Sequence, residues 1–185
     1  RRKSVICFFD ESGVSLSPIV RSTWAPRGHT PVLVHHFNWK RASIAAALCF
    51  GSAGGGCQLA FHVQPGSYNT ERLTGVLGEL RRFLGGHKAT LLWDGLPAHR
   101  SNLMKAWIAS QRDWLVVERL PGYAPELNPT EALWGNLKGK GGELAYVAGD
   151  TLEEVIEAAQ RGIDRVRRTP HLPYSFLRHS GLDLW

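Results

Sequence analysis

The apolar residues change their spacing about a third of the way along the chain, and this change limits the folds that it can adopt. Before residue 64 they come in short runs bounded by Gly, Pro, Ser or charged residues, which is typical of strands. The predicted strands span 4–9, 31–37, 42–50 and 57–63, and a turn-rich segment, 12–28, follows the first. Consecutive strands of this kind predict an antiparallel meander.

Beyond residue 69 the apolar residues recur at helical spacing, with short strands between the helices. We predict helices at about 70–84, 101–110, 128–137 and 152–168, strands at 90–93 and 114–117, and an irregular tail after Pro170. Strands that alternate with helices pair in parallel through crossovers, whereas the first half supplies antiparallel partners. The predicted fold is therefore α/β: an RNase H-like mixed sheet, antiparallel in its first strands and parallel in its later ones, with helices on both faces.

Length and composition favour one globular domain over residues 1–185. The chain is 43% hydrophobic and 21% charged, an ordinary globular balance. It holds no apolar run near the roughly 18 residues of a membrane helix, and its basic first residues lead into a strand and not into a signal peptide. We therefore expect a soluble, cytoplasmic protein. Cys7, Cys49 and Cys57 lack the paired spacings of a zinc site, so we predict buried free thiols.

The net charge of +6 is unevenly distributed. Residues 1–50 hold seven Lys and Arg against the two acids Asp10 and Glu11, whereas residues 101–150 are close to balanced. A basic chain is a candidate for binding a polyanion such as DNA. A solvated basic surface is the alternative, and charge alone does not decide between them.

Three acidic residues stand where strands or helices meet a predicted sheet edge. Asp10 ends the first strand, Asp94 ends strand 90–93, and Glu131 lies in the first turn of the helix that begins at Asn128. Ligands of open α/β sheets gather at the carboxyl ends of the strands. Carboxylates brought together there suit Mg²⁺, and two such ions can clamp the attacking and leaving oxygens of a phosphoryl transfer.

Each acid also has a purely structural interpretation. Asp94-Gly95 is a common turn dipeptide, and Asp10 could cap a turn. Asn128 followed by Pro129 and Glu131 matches a capping box, in which the Glu carboxylate bonds only the Asn128 amide. Spacing alone leaves these alternatives open.

Three longer segments carry a family resemblance. They are DESG at 10–13, WDGLPAHR at 93–100 and LPGYAPELNPTEALWGNLK at 120–138, with WAPRG at 24–28 between the first two. In this order they resemble the catalytic blocks of the mariner-like bacterial insertion-sequence transposases of the DDE superfamily. The resemblance covers nearly the whole chain, and the third block is its most specific part.

The resemblance implies an RNase H-like catalytic domain in which Asp10, Asp94 and Glu131 are the catalytic acids and metal ligands. Thirty-six residues separate Asp94 from Glu131, as is usual in the family. It further implies two Mg²⁺ or Mn²⁺ ions, hydrolysis of phosphodiesters at the ends of a DNA element, and attack of the freed 3′-hydroxyl on a TA-type target. The implied partners are double-stranded DNA and a second copy of the chain, which places the protein at the bacterial nucleoid.

The chain departs from the family pattern in three ways. Gly95 stands where Asn is frequent and Gly122 where Pro is common, although neither change removes a metal ligand. The helix-turn-helix region that reads the element's ends in full-length members is expected to be absent from residues 1–185. The alternatives to a transposase are a stand-alone RNase H-like nuclease and an inactive DNA-binding or dimerisation remnant.

Several further residues are candidates for supporting roles. His99, expected in a loop, either orients a carboxylate or phosphate or caps the next helix. Lys138 lies on a similar helix face to Glu131, where it could meet a phosphate or remain solvated. Trp134 and Leu137 are assigned to the core, and Tyr123 to the loop that aims Glu131. The other predicted DNA contacts are Trp24, Arg27, Lys40 and Arg41.

Overall fold

A single five-stranded mixed sheet organises the protein. The computed structural model describes residues 4–15, 24–32, 41–51, 56–122, 124–145 and 151–182. The strands are β1 (Val5–Ser15), β2 (Arg41–Phe50), β3 (Cys57–Pro65), β4 (Ala89–Trp93) and β5 (Leu115–Arg119). They lie in the order β3-β2-β1-β4-β5. The first three are antiparallel, and β1, β4 and β5 are parallel, as predicted.

Strand β1 is longer than predicted, so Asp10 does not end it. Its parallel pairing with β4 stops at Phe8 opposite Leu92, but its antiparallel pairing with β2 continues to Ser15 opposite Arg41. The prediction of turns from residue 12 was wrong for 12–15, because β2 satisfies the backbone of β1 on that side. Asp10 thus lies in mid-strand, two residues beyond the end of the pairing with β4.

Helices cover both faces of the sheet, as predicted. They are α1 (Thr70–Phe83), α2 (Pro97–Arg100), α3 (Asn102–Ser110), α4 (Pro129–Lys138), α5 (Leu152–Arg167) and α6 (His171–His179). Helices α1 and α3 bury apolar residues against one face, and α4, α5 and α6 bury theirs against the other. Alternate residues of β1 face the two cores: Phe8 packs with α4, and Phe9 packs with α1.

Two elements depart from the sequence prediction. The tail after Pro170 is not irregular, because α6 buries Phe176 and Leu177 and holds Pro173 in its first turn, where proline is tolerated. A one-turn helix, α2, replaces the predicted loop around His99. The predicted strand 31–37 lies outside the described residues from 33 onward, and Pro31 and Val32 are not in a strand.

Two smaller predictions can also be compared with the structure. The three cysteines are free, with Cys7 and Cys49 buried and Cys57 half-buried. None of the helices described here has the length and apolar character needed to cross a membrane.

Candidate active site

An open cleft of about 610 Å³ lies beyond the carboxyl ends of β4 and β5. Asp10, Asp94 and Glu131 all line it, together with Arg100 and Arg119. The structure therefore brings the three predicted acids to one cavity, although they come from a strand, a strand end and a helix. This is the edge of the sheet at which an open α/β fold binds its ligands.

Asp10 is buried on the α4 side of the sheet, with 7% of its surface exposed. The indole Nε1–H of Trp134 donates a hydrogen bond to its Oδ2 over 2.7 Å. Burial, with smaller contributions from the carboxylates of Glu131, Glu11 and Asp94, raises the pKa of Asp10 to about 7 despite that bond. The described hydrogen-bond donor to this carboxylate is neutral, and other carboxylates lie near it, although the charge of Lys138 also acts on it. A bound cation would relieve the repulsion among these carboxylates.

Asp94 follows β4 directly and is fixed by the turn that leads into α2. Its Oδ1 accepts hydrogen bonds from the Leu96 amide at 3.1 Å and from Nδ1 of His99 at 2.8 Å. Burial alone would raise the pKa of Asp94, but these bonds and the charge of His99 hold it below its ordinary value. Asp94 is therefore an ionised carboxylate held in one orientation.

His99 is buried between two carboxylates, with 2% of its surface exposed. Nε2 of its ring lies 3.0 Å from Oε1 of Glu11, and the ring stacks on Trp93 with the centroids 4.0 Å apart. Burial opposes the charged form, but the bonds to Asp94 and Glu11 raise the pKa of His99 to about 9. The imidazolium can thus donate from both nitrogens, which supports the predicted orientation of a carboxylate by His99.

Glu11 is a site residue that the sequence argument missed. Its side chain is 10% exposed, its Oε1 meets His99, and its Oε2 is buried without a hydrogen-bond partner among the described residues. The signal was present in the sequence, because two adjacent acids on a strand must point to opposite faces. Glu11 thereby links β1 to α2, on the face of the sheet opposite Trp134.

Glu131 lies in the first turn of α4, on the rim of the cleft. The Asn128 side chain caps this helix by accepting a hydrogen bond from the Thr130 amide, and Thr130 Oγ1 donates to the Phe8 carbonyl at 2.9 Å. These bonds fix the helix against β1, while Glu131 itself is exposed. No described residue donates a hydrogen bond to the Glu131 carboxylate, so the reciprocal half of the capping box is not formed there.

The donor set suits a hard divalent cation. Carboxylate oxygens are the ligands that Mg²⁺ and Mn²⁺ prefer, and Asp10 is buried among other carboxylates. Within the described ranges, no three His, Cys, Asp or Glu side chains stand close enough together to hold one ion as they are placed. Asp10 and Asp94 are held by hydrogen bonds, whereas Glu131 is exposed and accepts no described hydrogen bond.

The predicted DNA contacts fall into three groups. Trp24 is 94% exposed and Arg27 lies in an exposed turn, so both are accessible. Lys138 donates to Ser12 Oγ and to the Gly13 carbonyl, and Arg41 donates to Ser67 Oγ, so these two have partners within the protein. Lys40, like Tyr123 of the approach to α4, lies outside the described residues. Leu137 and Trp134 are buried as predicted, although Trp134 also serves Asp10.

Comparison with known proteins places this cleft in context. Residues 5–152 match the model of a family described as DDE superfamily endonuclease. No curated protein is similar enough to count as a match.

Among solved structures, the Mos1 mariner paired-end complex with Mn is 19% identical to this chain, with a TM-score of 0.60. The match includes 97% of this chain and 56% of the Mos1 chain. The Mos1 strand transfer complex is 18% identical, covers 95% of this chain and 53% of its own, and has a TM-score of 0.58. The Mos1 transposase catalytic domain with Raltegravir and Mn is 17% identical, covers 97% of this chain and 84% of its own, and has a TM-score of 0.52.

These structures confirm the RNase H-like fold that the order of elements predicted. The chain spans just over half the length of the transposase chains in the two DNA complexes. The family match extends from the start of β1 to the start of α5, and so includes all three acids of the cleft. The chain therefore belongs to the DDE superfamily endonucleases.

Proposed function

We propose that residues 1–185 are the catalytic domain of a DNA transposase. Its reaction is the hydrolysis of phosphodiesters at the ends of a DNA element, followed by transfer of the freed 3′-hydroxyl into a TA-type target. One observation carries the proposal: Asp10, Asp94 and Glu131 line a single cleft at the carboxyl edge of the sheet in a member of the DDE superfamily. The Mos1 structures, solved with transposon-end DNA, Mn or Mg, support it by their shared fold.

Asp10, Asp94 and Glu131 are the proposed ligands of two Mg²⁺ or Mn²⁺ ions. When bound, such ions supply charge stabilisation for the attacking and leaving oxygens of a phosphodiester. The chain's own residues prepare the ligands: Trp134 holds one oxygen of Asp10, and His99 holds one oxygen of Asp94. Arg100 and Arg119 line the same cleft, and we propose that their guanidinium groups bind phosphates of the DNA there.

The test is an oligonucleotide assay with a pre-nicked element end, a TA-containing target and Mn²⁺. The three variants are Asp10→Asn, Asp94→Asn and Glu131→Gln. The matched control is Glu126→Gln, which removes an exposed carboxylate next to the cleft that does not line it. We expect joined product from the wild type and the control, and none from the three variants. Activity retained in one of the three would remove that residue from the mechanism.

The same assay separates the alternatives. Cleavage without joining indicates a nuclease that keeps the metal site but lacks strand transfer. Retention of DNA without any metal-dependent product indicates a binding remnant.

We also propose that two copies act together, since two element ends must be processed in one reaction. Light scattering of the chain bound to end DNA tests this second point. A total mass equal to a single protomer bound to a single DNA molecule, instead of two protomers with two DNA molecules, would contradict it.

A further inference from the structure

A second groove, of about 230 Å³, lies beside the active-site cleft between α3 and β5. Its exposed cationic side chains are Lys105 and Arg112, from α3 and the turn after it, and Arg119 from the end of β5. The buried imidazolium of His99 also lines the groove, but it is paired with Glu11 and Asp94. Its apolar lining includes Ile108 and Val117. Apart from the three residues of this pairing, none of these residues was singled out by the sequence analysis.

The three exposed cations of the groove are not neutralised by the protein. Lys105, Arg112 and Arg119 are exposed and form no ion pair with any described residue. The acid next to Arg112 in sequence, Asp113, pairs instead with Arg81 at 2.7 Å. No described carboxylate lines the groove. The groove is therefore a local concentration of uncompensated positive charge, and anions are the ligands that such a surface attracts.

The groove adjoins the cleft, because Arg119 lines both. Arg100 adds a further positive charge to the cleft wall. Positive charge thus extends from the three catalytic acids out along the edge strand β5. A ligand that meets charges at successive positions is a polymeric anion, whereas a single phosphate would use only one or two of them.

The exposed cations of the groove suit the phosphates of a nucleic-acid backbone. Lys and Arg contacts to phosphates hold DNA in position without reading its sequence.

We propose that this groove binds the phosphodiester backbone of a DNA strand as it leaves the active-site cleft, independently of base sequence. The assignment rests on the proposed function for the identity of the nucleic acid. It adds a binding surface formed by Lys105 and Arg112, which lie outside the catalytic cleft, and connected to the cleft by Arg119, which lines both.

The test is the salt dependence of DNA binding, measured by fluorescence anisotropy of the whole chain in EDTA. The variant is Lys105→Gln/Arg112→Gln, and neither residue belongs to the catalytic machinery. The matched control is Lys88→Gln/Arg178→Gln, which removes two exposed charges that form no ion pair with a described residue. Lys88 lies at the opposite end of the sheet, and Arg178 lies on α6, on the other face. A second variant, Lys105→Arg/Arg112→Lys, keeps both charges. Labelled single-stranded and duplex probes of one sequence are used in parallel, and thermal melts establish that all variants are folded.

The logarithm of the association constant falls as the logarithm of the salt concentration rises. Each lost phosphate contact reduces the steepness of this fall by about 0.7 on single-stranded DNA and about 0.9 on duplex. Because the groove variant removes two such contacts, we expect it to reduce the steepness by about 1.4 on the single strand or about 1.8 on the duplex. The control should change it by less than half as much, and the charge-preserving variant should leave it unchanged. Equal slopes for the groove variant and the control would overturn the proposal.

The outcome is separable from that of the proposed function. If the groove variant binds like the control while the wild type still joins DNA ends, the groove assignment fails and the transposase proposal stands. If the groove effect is seen but no Mn²⁺-dependent product forms, the groove stands and the transposase proposal fails. A wild type that shows no salt-dependent DNA binding overturns the groove assignment.

Discussion

Asp10 and Glu11 are neighbours on β1, similarly buried, and yet they have opposite surroundings. Asp10 points to the α4 face, where its described hydrogen-bond donor is the neutral indole of Trp134. Glu11 points to the α2 face, where its partner is the imidazole of His99, whose pKa of about 9 keeps it protonated. The first carboxylate has no described ion pair and interacts at longer range with Lys138, which is hydrogen-bonded to Ser12 and Gly13, whereas the second is paired directly with a cation.

This difference distinguishes Asp10, a candidate metal ligand, from Glu11, which supports the structure of the site. A buried carboxylate without a cation is costly unless an ion binds it, whereas one paired with a buried imidazolium is compensated within the fold. The pair of Glu11 and His99 also affects the site, because the same imidazolium donates a hydrogen bond to Asp94. Residue type and burial are nearly equal at positions 10 and 11, so the partner across the sheet decides the role.

The largest effect on activity is expected when the carboxylate of Asp10 is replaced by a neutral amide. Asp10→Asn should remove cleavage, about a thousandfold or more, since a metal ligand contributes several kcal/mol to the barrier. It should leave the free energy of unfolding undiminished, because Asn can still accept the Trp134 hydrogen bond. Cleavage assays and urea unfolding measure the two properties. If Asp10→Asn reduced the free energy of unfolding by as much as it raised the barrier to cleavage, Asp10 would have a structural role like that of Glu11.

Glu11→Gln should mainly reduce the folding stability, whereas Asp10→Asn should mainly reduce the activity. It leaves the buried charge of His99 with one carboxylate fewer, and breaking such a pair costs about 3 kcal/mol of folding stability. Urea unfolding of Glu11→Gln, His99→Gln and the double variant forms a cycle that isolates the interaction. The double variant should lose less than the sum of the two single losses. Additive losses would show that the 3.0 Å contact is not an energetic pair.

The sequence predicted the order of most elements, with α2 and α6 as exceptions, and singled out the three acids that line the cleft, because both depend on local patterns. Hydrophobic period, the Asn69 cap of α1 and the Thr151 cap of α5 are properties of short segments. The length of β1 was missed because it depends on β2, which pairs with residues 12–15 from across the sheet.

The braces of the site depend on contacts between distant residues. Glu11 and His99 are 88 positions apart, and Asp10 and Trp134 are 124 apart. No local spacing reports these pairs. The same applies to Lys138, which was predicted to meet DNA but donates to Ser12, 126 positions away.

Trp134→Phe should give a smaller effect on the Asp10 side of the comparison. It deletes the 2.7 Å donor to Oδ2 while keeping an aromatic ring, at a cost of about 2 kcal/mol for a bond to a charged acceptor. Trp114→Phe is the matched control, because that indole is also buried but donates to the neutral amide oxygen of Gln111. We expect about 1 kcal/mol there. Unfolding at pH 8 compares the two, and equal losses would mean that the Asp10 bond gains nothing from charge.

The smallest effect is expected at a carboxylate whose cationic partner is partly exposed to solvent. Glu143 accepts from Arg165 through both oxygens, at 2.6 and 3.0 Å, and this bond holds the pKa of Glu143 below its ordinary 4.5. A carboxylate with a lowered folded pKa adds stability above the unfolded value, and that stability is lost as the pH falls through the folded value. Solvent screening limits the gain to about 1 kcal/mol.

Glu143→Gln should therefore be less stable than the wild type by about 1 kcal/mol at pH 7, with the difference shrinking below pH 4. Glu126→Gln, which removes an exposed carboxylate, should show little difference at either pH. Urea unfolding at the two pH values provides the measurement. A loss at Glu143 as large as that at Glu11 would mean that burial does not set the strength of these pairs, and the contrast between the two carboxylates of β1 would then need another cause.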